Sequence, residues 1–158
     1  MGQAICRSPV DSRLDLKEKG QEVTLPAAPL KVMIVEDDAL VALGVRLTVS
    51  ELGHNVVGIA ASELEALAVA QAERPQLALM DIRLRGTSDG VQVAQRLWQE
   101  LRIRCIFLSA YADDHTMERV AQTRPLGFVQ KPYSALQLKS ALEQARARLA
   151  ENMGNEPT

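Results

Sequence analysis

Aromatic residues are almost missing from this chain, whose 158 residues include one Trp, two Tyr and two Phe. Its core must therefore be built from Leu, Val, Ile and Ala rather than around stacked rings. Cysteine is as scarce. Cys6 stands in a polar leader and Cys105 in a predicted strand, and two thiols so placed build neither a disulfide framework nor a metal knuckle. Cys105 reads as a small core residue. No apolar run is long enough to span a membrane, and the first residues lack the apolar core of a secretory signal. A cytoplasmic protein without membrane contact is expected. Dense Lys/Arg tracts are absent too, and a formal charge of -2 gives no pull towards nucleic acid, so DNA binding by the chain itself is not expected. The opening Met1-Gly2-Gln3-Ala4-Ile5-Cys6 has Cys6 where a myristoylation signal needs Ser or Thr. No G-x-G-x-x-G follows the first predicted strand, which removes a dinucleotide-binding reading.

What is present is ordinary globular composition, 47% apolar and 24% charged, in a length that holds one domain of about 120 residues plus extra segments. Residues 1–29 carry Pro9, Gly20, Pro26 and Pro29 among mixed charges and read as a flexible polar leader, with at most a short amphipathic turn at Val10, Leu14 and Leu16. The domain occupies 30–150. Residues 151–158 read as a tail that frays after Gly154.

From Lys31 a short apolar run is followed by a helical run five times over. The predicted strands are Val32–Val35, Val56–Ala60, Leu77–Met80, Cys105–Leu108 and Gly127–Gln130, with helices near 39–52, 63–73, 90–101, 113–123 and 134–150. Strands apolar at every position suit a sheet covered on both faces. The fold class is α/β: a doubly wound five-stranded parallel sheet, flavodoxin-like (βα)5, in the order 2-1-3-4-5. Ser134 and Gln137 have capping-box spacing at the last helix, and Arg124-Pro125 is expected to close the fourth.

In such a sheet all carboxyl ends lie on one edge, where ligands collect. The first strand ends in Glu36-Asp37-Asp38, the third in Asp81, the fourth in Ser109-Ala110 and the fifth in Lys131-Pro132. Carboxylates so close repel one another unless a cation intervenes, and clustered oxygen ligands suit Mg²⁺. With the ammonium and the hydroxyl, they form a site suited to holding a phosphoryl group on Asp81.

Residues 31 to about 148 resemble a response-regulator receiver domain of two-component signalling, of the stand-alone type. The resemblance implies that Asp81 is the phosphoacceptor and that Glu36 and Asp37 hold Mg²⁺ together with Asp81 and the backbone carbonyl of Arg83. It implies that Ser109 is the hydroxyl that follows the phosphoryl group, Lys131 the family's invariant lysine, and Phe128 the aromatic that turns inward on activation. Lys131-Pro132 matches a peptide bond that is often cis in the family, and Asp38 falls to capping the first helix. A histidine kinase or histidine phosphotransfer protein would be the donor. The output would be a changed surface of the fourth helix, fifth strand and fifth helix, read by a downstream protein or a second copy, since no effector domain is seen to follow. The alternative is a phosphorylation-independent pseudo-receiver interaction module.

The stretch after the acceptor departs from the pattern, with Arg85 where receivers usually carry proline and one extra residue before Gly90. Gly86 can take the left-handed turn this needs, and Ser88 or Asp89 can cap the third helix. Arg83 and Tyr111, each two places past a site residue, are expected to slow hydrolysis of the acyl phosphate by restricting water. His54 and His115 have no second ligand at metal spacing, and Trp98 reads as packing. A phosphatase of the haloacid dehalogenase type also uses a strand-end Asp, but needs an acid two residues on, where Arg83 stands. The chain is therefore expected to be a signalling protein rather than an enzyme, catalysing only its own phosphorylation and slow dephosphorylation.

Overall fold

Five short runs that are apolar on both sides need helices over both faces, and the computed structural model, which describes residues 27–86, 88–110 and 112–154, provides them. The elements alternate as β1 (Lys31–Val35), α1 (Ala39–Glu51), β2 (Asn55–Ala60), α2 (Glu63–Glu73), β3 (Leu77–Asp81), α3 (Gly90–Leu101), β4 (Arg104–Ser109), α4 (Asp114–Ala121), β5 (Gly127–Gln130) and α5 (Ala135–Gly154). All strand pairs are parallel, in the order β2-β1-β3-β4-β5. The expected order is the observed one.

Successive strand side chains point to opposite faces, and this sorts the core into two layers. Val32, Ile34, Leu77, Leu79, Ile106 and Leu108 meet Ala42, Val45 and Val49 of α1 and Leu138, Leu142 and Ala145 of α5. Met33, Val35, Ala78, Met80, Cys105 and Phe107 meet residues of α2 and α3 and Val120 of α4. Cys105 is a buried free thiol, pushed up to about 12 by burial, as suits a core residue. The chain joins this core at Leu30, whose N–H donates to His54 Nδ1 and whose carbonyl accepts from Asn55.

Each helix starts on a side chain that satisfies its first free N–H groups. Asp38, Ser62, Asp89, Asp113 and Ser134 do this, Asp89 with Gln92 and Ser134 with Gln137 as reciprocal capping boxes.

Helix ends differ from expectation in two places. α4 stops at Ala121 rather than near 123, because Gln122 and Thr123 donate to carbonyls three residues back and the Thr123 hydroxyl also bonds Val120 O at 2.7 Å. Arg124, before Pro125, is left-handed at φ 53°, outside the right-handed helical region as expected of a residue before proline. α5 runs on to Gly154, four residues past its expected end, since nothing between Leu149 and Gly154 breaks a helix. The leader turn at Val10, Leu14 and Leu16 and the reading of Cys6 lie outside the described residues, as do Thr87, Tyr111 and residues 155–158.

Candidate functional site

The carboxyl ends of β1, β3, β4 and β5 meet at one edge, and three of them bring charge. Glu36 follows β1 and is almost fully buried. Its Oε1 accepts from the N–H of Asp38 at 3.0 Å, and its Oε2 lies 3.4 Å from Lys131 Nζ. The same Nζ lies 3.4 Å from Oδ2 of Asp81, the last residue of β3. Asp81 Oδ1 accepts from the N–H of Arg83 at 3.1 Å. Asp37 completes the group: one oxygen from each of Glu36, Asp37 and Asp81 falls within 4.8 Å of the others.

The electrostatics follow from this crowding. Burial, reinforced by the hydrogen bond and charge of Asp81, pushes Glu36 up to about 7, although the Asp38 N–H and Lys131 pull the other way. Asp37 is penalised by burial, yet the Arg85 N–H, Glu36 and the Arg85 guanidinium hold it below its usual value. Burial would lower Lys131, but Asp81 and Glu36 outweigh it and keep the ammonium charged. A site this rich in negative charge, with oxygen donors only, fits a hard dication such as Mg²⁺. Glu36, Asp37 and Asp81 are the side chains that would hold it.

The remaining expected residues surround this cluster. Ser109 is buried at the end of β4, and its carbonyl accepts the N–H of Lys131 at 2.8 Å, which ties the exit of β5 to that of β4. The peptide bond Lys131-Pro132 is cis. Phe128 pairs with Phe107 across β4 and β5 and is half-buried against the α3 and α4 side of the core. Arg83 is exposed apart from its backbone contact with Asp81. Asp38 caps α1 through the N–H groups of Leu40 and Val41, as expected. Gly86 has φ +117°, the left-handed turn the altered loop calls for. His54 has a structural role as an acceptor for Leu30. Trp98 carries the guanidinium carbons of Arg102 and Arg124 at 4.9 and 5.3 Å from its ring centroid, so it packs against cations.

Two ion pairs escaped sequence reasoning. Arg85 donates its N–H to Asp37 Oδ2 at 2.8 Å, with its Nε 3.5 Å from the same oxygen. Arg119 of α4 holds Asp89, the cap of α3, through a fork of 2.7 and 3.0 Å. The signal for the first was the arginine in place of proline. The second had none, because the partners are 30 residues apart on separate elements.

The sequence model of the response regulator receiver domain family matches residues 32–143. This chain belongs to that family. Among curated proteins, the phyllosphere-induced regulator PhyR of Methylorubrum extorquens is 32% identical over 130 residues, which cover 81% of this chain and 47% of PhyR. The transcriptional regulatory protein PdtaR of Mycobacterium tuberculosis is 29% identical over 125 residues, covering 79% of this chain and 60% of PdtaR. The chain thus spans about half the length of these relatives. Among solved structures, the signal receiver domain of a modulated diguanylate cyclase from Desulfovibrio desulfuricans superposes with a TM-score of 0.73 at 34% identity, over 78% of this chain and 98% of that one. The fold is that of a receiver domain, and receiver-domain regulators are signalling proteins rather than enzymes in the usual sense. Among the described residues no helix is long and apolar enough to cross a membrane.

Proposed function

We propose that this receiver takes a phosphoryl group on Asp81 from the phosphohistidine of a histidine kinase or phosphotransfer protein, in the cytoplasm. The observation that carries the reading is the placement of Asp81. One carboxylate oxygen is held by the Arg83 N–H, the other faces Lys131, and Glu36 and Asp37 stand alongside. A carboxylate oxygen attacks phosphorus in line, the P–O bond forms as the P–N bond breaks, and the departing imidazole takes up a proton. Lys131 compensates charge gathering on the phosphoryl oxygens. Bound Mg²⁺ would supply the remaining neutralisation and align acceptor and donor, with the Arg83 carbonyl as a further ligand.

After transfer, the Ser109 hydroxyl follows the new oxygens and Phe128 turns further inward, altering the surface of α4, β5 and α5. The change acts on an existing equilibrium, and a bias of about 1–3 kcal/mol suffices for useful coupling. Arg83 and Tyr111 slow the return by restricting water at the acyl phosphate. The altered surface is read by a downstream protein or by a second copy of the chain.

The donor's docking surface is α1. This helix starts at the acidic pair and leaves Leu40, Leu43 and Leu47 exposed at 81%, 49% and 57% along one side. Three leucines at helical spacing beside a phosphoacceptor offer an apolar stripe for a helical partner whose histidine must reach Asp81.

The test is intact mass after incubation with acetyl phosphate or phosphoramidate and Mg²⁺, beside Asp81→Asn. One added phosphoryl group that needs Mg²⁺ and disappears in the variant is expected. No adduct, with the fold intact and beryllofluoride also failing to bind, would leave a phosphate-independent interaction module in its place.

A further inference from the structure

Arg85 stands where the receiver pattern departs in this chain, and both of its polar contacts converge on one atom. Its N–H lies 2.8 Å from Asp37 Oδ2 and its Nε 3.5 Å from the same oxygen. The other two carboxylates are served differently: Lys131 Nζ lies 3.4 Å from both Glu36 and Asp81. Two side-chain cations therefore divide the acidic cluster between them. Asp37 is the share of Arg85.

The two sides of that pair are unequally anchored. The Asp37 side chain is 13% exposed, whereas that of Arg85 is 87% exposed and hangs from the loop between β3 and α3. The far side of this loop is fixed by the Ser88 hydroxyl on Glu63, which Arg96 also holds at 2.8 Å. A guanidinium so exposed can leave without disturbing the core. A dication bound at Asp37 and a guanidinium 3.5 Å from that carboxylate repel one another.

We propose that Arg85 is the site's own counter-cation, competing with Mg²⁺ for Asp37 and so lowering the metal affinity of this receiver. This rests on the reading that Glu36, Asp37 and Asp81 hold Mg²⁺. Metal entry then frees Arg85 from Asp37 and unfastens the near side of the loop, while Ser88 keeps the far side on α2. Metal occupancy thereby becomes coupled to the loop that follows the phosphoacceptor. A proline in this place would have neither the N–H nor the charge to do so.

Isothermal titration of the full chain with MgCl₂ at fixed pH and low ionic strength tests this, using the unaltered protein, Arg85→Ala, Arg85→Lys and Arg85→Glu. Arg85→Ala is expected to bind Mg²⁺ about three- to tenfold more tightly and Arg85→Glu at least as tightly, on the scale of an exposed charge pair at low salt. Arg85→Lys should stay within about twofold of the unaltered protein, because charge and not shape carries the effect. Added NaCl should weaken Mg²⁺ binding less steeply in the unaltered protein than in Arg85→Ala, since salt also screens the competing pair. Equal affinities for the unaltered protein and Arg85→Ala overturn the competition, and weaker binding by Arg85→Ala would make Arg85 an organiser of Asp37 instead. If neither binds Mg²⁺, the metal reading of the cluster fails and the competition fails with it.

Discussion

Gly90 lies directly against the peptide of Asp81. A Cβ at Gly90 would stand 1.9 Å from the Asp81 carbonyl oxygen and 2.8 Å from the Cα of Ile82, and the Gly90 N–H donates to Ile82 O at 2.7 Å. Helix α3 thus begins in contact with the backbone that presents the Asp81 carboxylate. Here the obstacle to a larger residue is backbone, which cannot rotate aside as a side chain can. Gly90→Ala is expected to destabilise the domain by about 2–3 kcal/mol even after the gain in helix propensity from alanine. Because the Asp81 peptide must shift, phosphorylation by a small-molecule donor should slow as well. Urea unfolding with an unchanged m value checks the first, and initial rates of mass gain the second. A midpoint equal to that of the unaltered protein would show that α3 can step back from β3 without penalty.

The other end of this arrangement is the fork from Arg119 to Asp89. Asp89 Oδ1 accepts the Gln92 N–H at 2.9 Å as the cap of α3 while both oxygens engage Arg119. Burial raises the Asp89 carboxyl, but Arg119, the Gln92 N–H and the Val91 N–H outweigh it and hold it below the usual range. Asp89→Asn keeps the capping oxygen and is expected to lose under about 1 kcal/mol, whereas Asp89→Ala loses cap and fork together, about 1–2 kcal/mol. The folded carboxyl is the stronger acid, so its contribution is present above pH 4 and fades only as pH falls below the ordinary Asp value of 3.8. Comparing the two variants by urea titration at pH 7 separates cap from ion pair. Equal losses would assign the whole effect to the ion pair with Arg119.

The fold was largely legible because its signals are local. Continuous apolar strands such as Leu77–Met80, caps such as Asp38 and Ser134, and the alternation of runs all lie within a few residues of one another. The acidic pair, Asp81 and Lys131 could be placed together because a parallel sheet puts its strand ends on one edge. What was illegible depends on contacts between distant segments: Arg85 on Asp37, Arg119 on Asp89, and Gly90 against the Asp81 peptide. The end of α4 was misplaced because Thr123 bonds back to Val120 before Pro125 can act. The exposed side of α1 was also missed. In sequence, Leu40, Leu43 and Leu47 look like core residues at helical spacing, and only the fold shows that Ala42, Val45 and Val49 take the buried side.

Those leucines give a prediction that separates docking from chemistry. Leu43→Glu and Leu47→Glu change half-exposed positions, so each is expected to alter stability by no more than about 0.5 kcal/mol. Transfer from a cognate kinase should fall tenfold or more, because a charge placed in an apolar contact must be desolvated. Phosphorylation by acetyl phosphate should stay within about twofold, since neither side chain reaches the site. Equal loss with both donors would instead mean that the substitutions disturb Glu36 and Asp37 through the start of α1.

Glu36 sets the pH behaviour of the metal-free protein. Its carboxyl rises from an ordinary 4.5 to about 7 on folding, chiefly by burial, with Asp81 adding to it. Between these values the folded state holds a proton that the unfolded state has released, so stability falls as pH rises through that window. A rise from 4.5 to about 7 corresponds to a loss on the order of 3 kcal/mol at most, complete near pH 8. Lys131, raised from 10.5 by Asp81 and Glu36 against burial, does not change charge in this range and leaves the slope alone. His54 acts in the opposite sense. Burial lowers it from 6.5, so folding favours its neutral form and stability rises with pH there. Subtracting the Glu36→Gln curve from that of the unaltered protein removes the histidine and isolates Glu36. With urea titrations at pH 5, 6, 7 and 8 in EDTA, the difference should fall steadily and level off near pH 8. In excess Mg²⁺ the fall should shrink or vanish, because the ion gains most where the carboxylate is ionised. A flat difference in EDTA would mean that Lys131 already keeps Glu36 ionised at pH 5, and that one ammonium balances two carboxylates without a proton between them.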